Sequence, residues 1–270
     1  MTALAETPVQ RPYGPIVGNA DGFTTYYDLM GGAGTCRLKR LISGPQVAST
    51  LDLVEHVVFL EGASCGRHRH TRTEEIYYLL GGAGVIYMDG ERLEVRGGDL
   101  VITPLNSAHT IAAFGDTNVA ILVVEVLPGP EGRRADPARI AMRELLTDQA
   151  VSPADGVRIV TVELAKYFTG AWGRFRLAVL EPGARLGPCT TSTAEEFLYL
   201  ARGHARVEFG SGVDSPSRHA AGKAGLYVAV PAGLPWQIVN DSTHNSAEVV
   251  ITEVLAENAQ PTSDHAAGAQ

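Results

Sequence analysis

Four side chains in the first half of the chain have the types and spacing of a metal-binding set. One residue separates His68 from His70, Glu75 follows them, and His109 lies further along. Alternate residues of a β-strand share a face, so the imidazoles of His68 and His70 can reach one ion. The turn-prone pair Asn106-Ser107 could bring His109 back beside them. Three neutral imidazoles and one carboxylate suit Fe(II), Mn(II), Ni(II), Co(II) or Zn(II), with coordination positions left open.

Two neighbours of this set leave alternatives open. Glu74 competes with Glu75 for the carboxylate position, and we favour Glu75 because Glu74 should face outward on the same strand. Tyr77 shares a face with Glu75, so we take it as the candidate catalytic residue, whose hydroxyl could hydrogen-bond a substrate; the alternative is a packing role. The four candidate ligands could also be polar side chains that fill a barrel interior.

Short strands are the elements that must position these residues. The sequence has 30 glycines and 15 prolines between short runs rich in Val, Ile, Leu and Tyr, which predicts an all-β fold. Asp89-Gly90 stands between two alternating runs and predicts a tight hairpin. Between Pro128 and Gly156 the composition shifts, and 137–149 carries apolar residues at helical spacing, namely Ile140, Met142, Leu145 and Leu146. We therefore expect a linker with one helix.

The chain also contains an internal repeat. Residues 62–68 align without gaps on 183–189, Glu74-Glu75 aligns on Glu195-Glu196, and 98–104 matches 225–231. The slip between these blocks implies a longer hairpin around 210–221 in the second copy. Duplicated antiparallel sheets of this size predict two similar barrels or sandwiches packed together.

The second copy lacks the histidines. Cys189, Thr191 and Trp236 stand in their places, and Glu196 alone is retained. A carboxylate, a single thiol and an indole do not make a credible metal site. We therefore expect one metal per chain and a buttressing role for the second copy.

These segments resemble the two sequence motifs of the cupin superfamily. The first motif is matched by Gly62-x5-His68-x-His70-x4-Glu75-x6-Gly82, and the second by Gly98-x5-Pro104-x-Asn106-x2-His109. Asn106 stands where the family usually has Gly, and Ala113 where it usually has Asn. The resemblance covers most of 24–257 and implies a bicupin with two double-stranded jelly-roll barrels. It also implies that His68, His70, Glu75 and His109 are the metal ligands, and that the C-terminal motif is degenerate.

The repeat and the resemblance together define the expected segments of the chain. These are an N-terminal arm over 1–23, a metal-binding barrel over 24–128, a linker with one helix over 129–155, a degenerate barrel over 156–257 and a disordered tail over 258–270.

Bicupins include dioxygenases, decarboxylases, isomerases and enzymes that modify sugars or polyketides. The resemblance thus implies a metal-dependent enzyme of small-molecule metabolism. The complete ligand set leads us to expect a mononuclear Fe(II) oxygenase or dioxygenase that takes a small organic substrate and dioxygen. One alternative is a non-redox isomerase, cyclase or lyase at Mn(II), Ni(II) or Zn(II). Another is a non-catalytic ligand-binding or sensor bicupin.

The composition bears on which classes of partner the chain can bind and on its cellular compartment. The chain has 22 Lys and Arg against 30 Asp and Glu, a net charge of -8, so a nucleic acid or an anionic membrane would be repelled on average. No apolar run is long enough to span a membrane. Cys36, Cys65 and Cys189 are odd in number and widely spaced, which favours a reducing cytoplasm. We expect a monomer or a homodimer.

Overall fold

The computed structural model describes residues 14–132, 135–148, 156–210 and 218–256. The first half contains β1 (Ile16–Asn19), β2 (Thr24–Tyr27), β3 (Thr35–Ser43), β4 (Leu51–Phe59), β5 (His68–Arg69), β6 (Glu74–Gly81), β7 (Ala83–Met88), β8 (Glu91–Arg96), β9 (Asp99–Thr103), β10 (Ala108–Ala113) and β11 (Val119–Val126). Next come β12 (Ala138–Ala141) and α1 (Met142–Thr147). The second half contains β13 (Val157–Glu163), β14 (Trp172–Leu180), β15 (Arg185–Cys189), β16 (Ala194–Arg202), β17 (His204–Phe209), β18 (Arg218–Lys223), β19 (Leu226–Val230), β20 (Trp236–Val239) and β21 (Ala247–Leu255). Short 3-10 helices cover Leu29–Gly31, Gly44–Gln46 and Leu164–Lys166.

These strands form two barrels of matching topology. The first has a large sheet in the order β12-β9-β6-β11-β4-β3-β2 and a small sheet in the order β5-β10-β7-β8. The second has a large sheet in the order β1-β19-β16-β21-β14-β13 and a small sheet in the order β15-β20-β17-β18. The neighbouring strands pair antiparallel within each sheet, which confirms the expected all-β fold of two similar barrels.

The Asp89-Gly90 hairpin is confirmed. Met88 of β7 pairs with Glu91 of β8, so two residues make the turn. Both turn residues have positive φ, 50° at Asp89 and 96° at Gly90. This is the backbone geometry that two-residue hairpins with Asp-Gly adopt, because its twist matches that of the flanking strands.

Each barrel is completed by a strand from a segment expected to connect or precede the barrels. In the predicted arm, β1 pairs with β19 of the second barrel. In the predicted linker, β12 pairs with β9 of the first barrel. Both strands cover an edge of a large sheet, where the backbone groups would otherwise lack partners.

The helix predicted over 137–149 is shorter in the structure. Ala138–Ala141 forms β12, and α1 covers Met142–Thr147. The guanidinium of Arg139 holds β12 on β9, since its Nε lies 2.7 Å from Oδ2 of Asp99. Helical spacing applies only to the second half of the segment, where Met142 and Leu146 are buried. The predicted tail over 258–270 lies outside the described residues.

One apolar core joins the two barrels. It includes Ile76 and Tyr78 of β6 together with Phe175 of β14, and the ring centroids of Tyr78 and Phe175 are 5.6 Å apart. Because strand residues alternate, the opposite face of β6 points into the first barrel with Glu75 and Tyr77. A separate apolar cluster lies inside that barrel, including Val57, Phe59, Leu79, Ile86, Ile111 and Ile121.

None of the helices in the described ranges is long and apolar enough to cross a membrane.

Candidate metal centre

The four predicted ligands come from neighbouring elements of the first barrel. His68 on β5 pairs directly with His109 on β10. His70 follows β5, and its carbonyl accepts a hydrogen bond of 2.7 Å from the backbone N–H of Asn106. Asn106 has a φ of 66°, which Gly favours and Asn tolerates, so the turn forms although Asn replaces the usual Gly.

These residues converge on one point. The Nε2 atoms of His68 and His70 are 3.1 Å apart. Oε2 of Glu75 lies 3.5 Å from Nε2 of His70 and 3.4 Å from Nε2 of His109. The ligand atoms of the three histidines all lie within 4.8 Å of one another, a spacing that one ion can bridge.

The Glu75 carboxylate supplies a test of whether a cation fits here. Glu75 is 2 % exposed, and its Oε2 is buried without a hydrogen-bond partner among the described residues. An unpaired buried carboxylate oxygen is costly, and a cation at the convergence point would satisfy it. The residues present therefore fit a divalent metal with nitrogen and oxygen ligands.

Hydrogen bonds at Nδ1 fix the tautomer and the orientation of two of the imidazoles. Nδ1 of His68 lies 3.0 Å from the carbonyl oxygen of Gly66, so Nδ1–H donates to it. Nδ1 of His70 lies 3.1 Å from Oγ1 of Thr73, which in turn donates to Oε2 of Glu125 at 2.6 Å. With the protons on Nδ1, both Nε2 lone pairs point to the centre, as metal ligation requires.

Burial sets the protonation of the cluster. Desolvation, followed by the neighbouring His68, lowers the pKa of His70 to about 4 and that of His109 to about 2. Both imidazoles are therefore neutral at neutral pH, the form that binds metals. Desolvation, followed by the charge of Glu125, raises the pKa of Glu75 well above its usual value. An ion in the centre would offset that penalty.

Tyr77 lies beside the cluster, with its hydroxyl 2.8 Å from Nε2 of His109. Burial, followed by the charge of Glu75, raises its pKa, so the phenol keeps its proton at neutral pH. Glu125, which pairs with Glu75 across β11 and β6, was not predicted from the sequence as a residue of this site. Its signal was the repeat, because Glu253 stands at the same place in the second copy.

The centre opens on a cavity of about 370 Å³ inside the first barrel. Apolar side chains form most of its wall, including Leu38, Leu53, Val57, Phe59, Ile121 and Val123. The charged side chains in the wall are Arg40, Glu55, Glu75 and Glu125. A volume of this size lies in the range of pockets that hold organic molecules.

The equivalent place in the second barrel is filled by an ion-pair network. Cys189 pairs with Trp236, as His68 pairs with His109 in the first barrel. The carboxylate of Glu196 contacts the Arg176 guanidinium and accepts a hydrogen bond from Nε1 of Trp236. Arg176 also lies 3.0 Å from Glu253. Within the described ranges, the clusters with metal-ligand spacing all lie in the first barrel.

Comparison with known proteins places both barrels in one family. The model of the cupin domain matches residues 55–125, and a second cupin model matches residues 146–269. An oxalate-binding protein of Thermotoga maritima is 30% identical over 100 residues, which cover 37% of this chain and 83% of that protein.

Solved structures share the two-barrel fold. A Bacillus subtilis oxalate decarboxylase structure superposes with a TM-score of 0.67 at 16% identity, covering 90% of this chain and 77% of that one. Hazelnut vicilin superposes with a TM-score of 0.65 at 14% identity, covering 90% of this chain and 86% of that one. With two cupin models that together match most of its length, this chain belongs to the cupin family as a bicupin.

Proposed function

We propose that this chain is a mononuclear metal-dependent enzyme that acts on a small organic substrate. His68, His70, Glu75 and His109 hold the ion, and the substrate occupies the adjoining cavity. The observation that carries the proposal is the unpaired, buried Oε2 of Glu75, which faces the Nε2 atoms of His70 and His109 at the inner end of that cavity. A divalent ion bound there supplies Lewis-acid chemistry, with open positions for substrate oxygen atoms.

The chain's own groups add proton chemistry and desolvation. The Tyr77 phenol keeps its proton, and its oxygen lies 2.8 Å from Nε2 of His109, next to where a substrate would sit. Glu125, the cross-strand neighbour of Glu75, accepts a hydrogen bond from Thr73 and lines the cavity. The apolar wall excludes water, which strengthens the electrostatic interactions inside the barrel.

This arrangement favours a non-redox reaction, such as a lyase, isomerase or cyclase step. Such reactions need a polarised carbonyl and nearby groups that hold or move protons, and Tyr77 and Glu125 are placed for that task. The Mn(II) centres named for a Bacillus subtilis oxalate decarboxylase of the same fold support Mn(II) as the metal. That structure has a TM-score of 0.66 at 16% identity.

A second candidate is an Fe(II) oxygenase or dioxygenase. The apolar wall beside the proposed ion favours it, because dioxygen and an organic substrate could both bind at open positions away from water.

Activity with and without dioxygen separates these candidates. Metal-free protein is reloaded with Mn(II) or Fe(II), and substrate loss is followed by mass spectrometry over a panel of carbonyl compounds, phenols and carboxylates. Turnover that needs a metal and persists without dioxygen supports the non-redox reaction, whereas stoichiometric oxygen uptake supports the oxygenase. His68→Ala should abolish turnover, and His204→Ala, at an exposed position of β17, is the matched control. Metal-dependent ligand binding without turnover across the panel would contradict an enzymatic role.

A further inference from the structure

The inward side chains of the large sheet in the first barrel lie in rows that run across the strands. Glu75 of β6 is beside Glu125 of β11 in one row. In the next row Tyr77 of β6 is beside Val123 of β11, which is beside Glu55 of β4. Adjacent strands are about 4.8 Å apart, so Glu55 lies about 10 Å across the sheet from Tyr77. Glu55 therefore lies two strands across the sheet from Glu75, in the part of the cavity that continues to Leu38 and Arg40 of β3; we call this part the remote end.

The cavity wall carries more negative than positive side chains. Among the described lining residues, Arg40 is the one Lys or Arg, against the carboxylates of Glu55, Glu75 and Glu125. The Nε of Arg40 already donates to Oε1 of Glu55 at 2.6 Å. The side chain of Glu55 is 12% exposed and that of Arg40 is 47% exposed, so the cation extends toward solvent and the carboxylate faces inward. An anion placed beside Glu55 inside the cavity would face its carboxylate, and the Arg40 guanidinium beside it is already paired with that carboxylate.

The second barrel shows that this position can carry the opposite charge. There Arg176 is beside Ile251, which is beside Leu198. This row is the counterpart of the one formed by Glu55, Val123 and Tyr77 in the first barrel. Arg176 neutralises Glu196 and Glu253, the counterparts of Glu75 and Glu125. The first barrel has a carboxylate, paired with Arg40, at the position of that guanidinium, so Glu75 and Glu125 are not neutralised from this position and the cavity stays open.

From this arrangement we infer the substrate class. We propose that the first barrel selects an organic molecule that binds the ion through one end and carries a neutral or cationic group, not an anionic one, at its other end beside Glu55. This inference rests on the proposed function, because it requires an ion with open positions at the histidines. A carboxylate at the remote end would be repelled by Glu55 in a partly desolvated cavity, or would have to displace Glu55 from Arg40.

Three probes that differ only at the remote end test this inference. The protein is loaded with one Zn(II) per chain, which is redox-inert. It is then titrated by isothermal calorimetry with three benzohydroxamates that carry a methyl, an aminomethyl or a carboxylate group at the para position. The hydroxamate end is common to all three and binds the metal. We expect the aminomethyl probe to bind at least as tightly as the methyl probe, and the carboxylate probe about tenfold or more weakly than the methyl probe.

A variant of Glu55 gives a second, independent readout. Glu55→Gln removes the negative charge and releases Arg40, so the carboxylate probe should tighten about tenfold while the methyl probe changes little. Glu94→Gln is the matched control, since Glu94 also pairs with an arginine, Arg92 at 2.7 Å, but on the exposed surface of β8. It should leave all three affinities unchanged.

The outcomes separate this inference from the proposed function. If the carboxylate probe binds wild-type protein as tightly as the methyl probe, or if Glu55→Gln leaves their ratio unchanged, the inference is wrong while the metal centre stands. If the Zn(II)-loaded protein binds none of the probes, the open coordination positions of the proposed function are absent, and the inference falls with them.

Discussion

Glu74 and Glu75 are consecutive residues of β6 whose carboxylates lie on opposite sides of the strand. Oε2 of Glu75 lies 3.4 Å from Nε2 of His109 inside the first barrel. Glu74 is fully buried against the second barrel, where it accepts hydrogen bonds from the backbone N–H of Thr169 at 2.8 Å and from Nε1 of Trp172 at 3.0 Å. One strand thus carries a candidate metal ligand and a contact that joins the barrels.

Glu75→Gln should separate metal binding from folding. The amide cannot provide a charged ligand, so metal content should fall to well below half of the wild-type value, measured by elemental analysis. The metal-free fold should keep its melting temperature within about 4 °C, because the amide oxygen can still accept a hydrogen bond from Tyr77, and Oε2 of Glu75 has no hydrogen-bond partner to lose in the described ranges. Full metal occupancy in this variant would remove Glu75 from the ligand set.

Glu74→Gln should have the reverse effect. The carboxylate accepts four hydrogen bonds, from Thr169, Gly170 and Trp172, and an amide NH₂ would face donors on one side. We expect a loss of roughly 3 kcal/mol in the free energy of unfolding by urea, with metal content retained. Glu144→Gln, at an exposed pair with Arg96, is the control and should cost less than about 0.5 kcal/mol. Equal stability of the two variants would contradict a joining role for Glu74.

The sequence predicted the fold and the close approach of the four candidate ligands better than the contacts between barrels. The spacing from His68 to His109 and the Asp89-Gly90 turn depend on strand alternation and local turn chemistry, which are readable along the chain. The burial of Glu74 depends on the docking of a second barrel, which no local pattern encodes. Glu74 was expected to face outward from the first barrel, and it does. Its carboxylate is buried against the second barrel and does not reach solvent.

In the second barrel, too, a contact between the barrels could not be predicted from the sequence. Glu195, the repeat counterpart of Glu74, accepts hydrogen bonds from the backbone of Ala48 and Ser49 in the first barrel. In each copy, the first glutamate of the pair contacts the other barrel and the second faces the inside of its own barrel. The alignment of the two copies could not show which glutamate has which role. The strand β12 was missed because Ile140 fits a helical apolar pattern, whereas pairing with β9 decides its conformation.

Stability should depend on pH through His56, which lies outside the metal centre. Burial lowers its pKa to about 4, and Tyr199 of the second barrel lies 2.9 Å from its Nδ1. Unfolded histidine titrates near 6.5, so between 6.5 and about 4 the unfolded state binds more protons than the folded state. The free energy of unfolding should therefore fall as pH drops through this window, by up to about 3 kcal/mol.

Urea denaturation at about pH 7 and about pH 4.5 tests this prediction. His56→Gln keeps an acceptor for Tyr199 but cannot titrate, so its stability should fall less on acidification than that of wild-type protein. The exposed His204→Gln should behave like wild type. The same acid sensitivity in wild type and His56→Gln would show that His56 is not the group responsible.

Arg176 of the second barrel should stabilise the fold without affecting metal binding. Arg176→Met leaves the buried carboxylates of Glu196 and Glu253 without their guanidinium, and we expect a loss of about 3 kcal/mol or more in the free energy of unfolding. Metal content should not change. Gain of a second metal in Arg176→Met would show that the guanidinium blocks a latent site, and loss of the first metal would show that the barrels are coupled.

Metal content per chain measures directly whether the three histidines and Glu75 hold one ion. Untagged protein purified without chelators is measured by elemental analysis beside His109→Ala and the matched control His244→Ala, at an exposed position of the second barrel. We expect about one divalent metal per chain in wild type and in His244→Ala, and close to none in His109→Ala. Two metals per chain, or equal metal content in wild type and His109→Ala, would contradict a single centre built on His68, His70, Glu75 and His109.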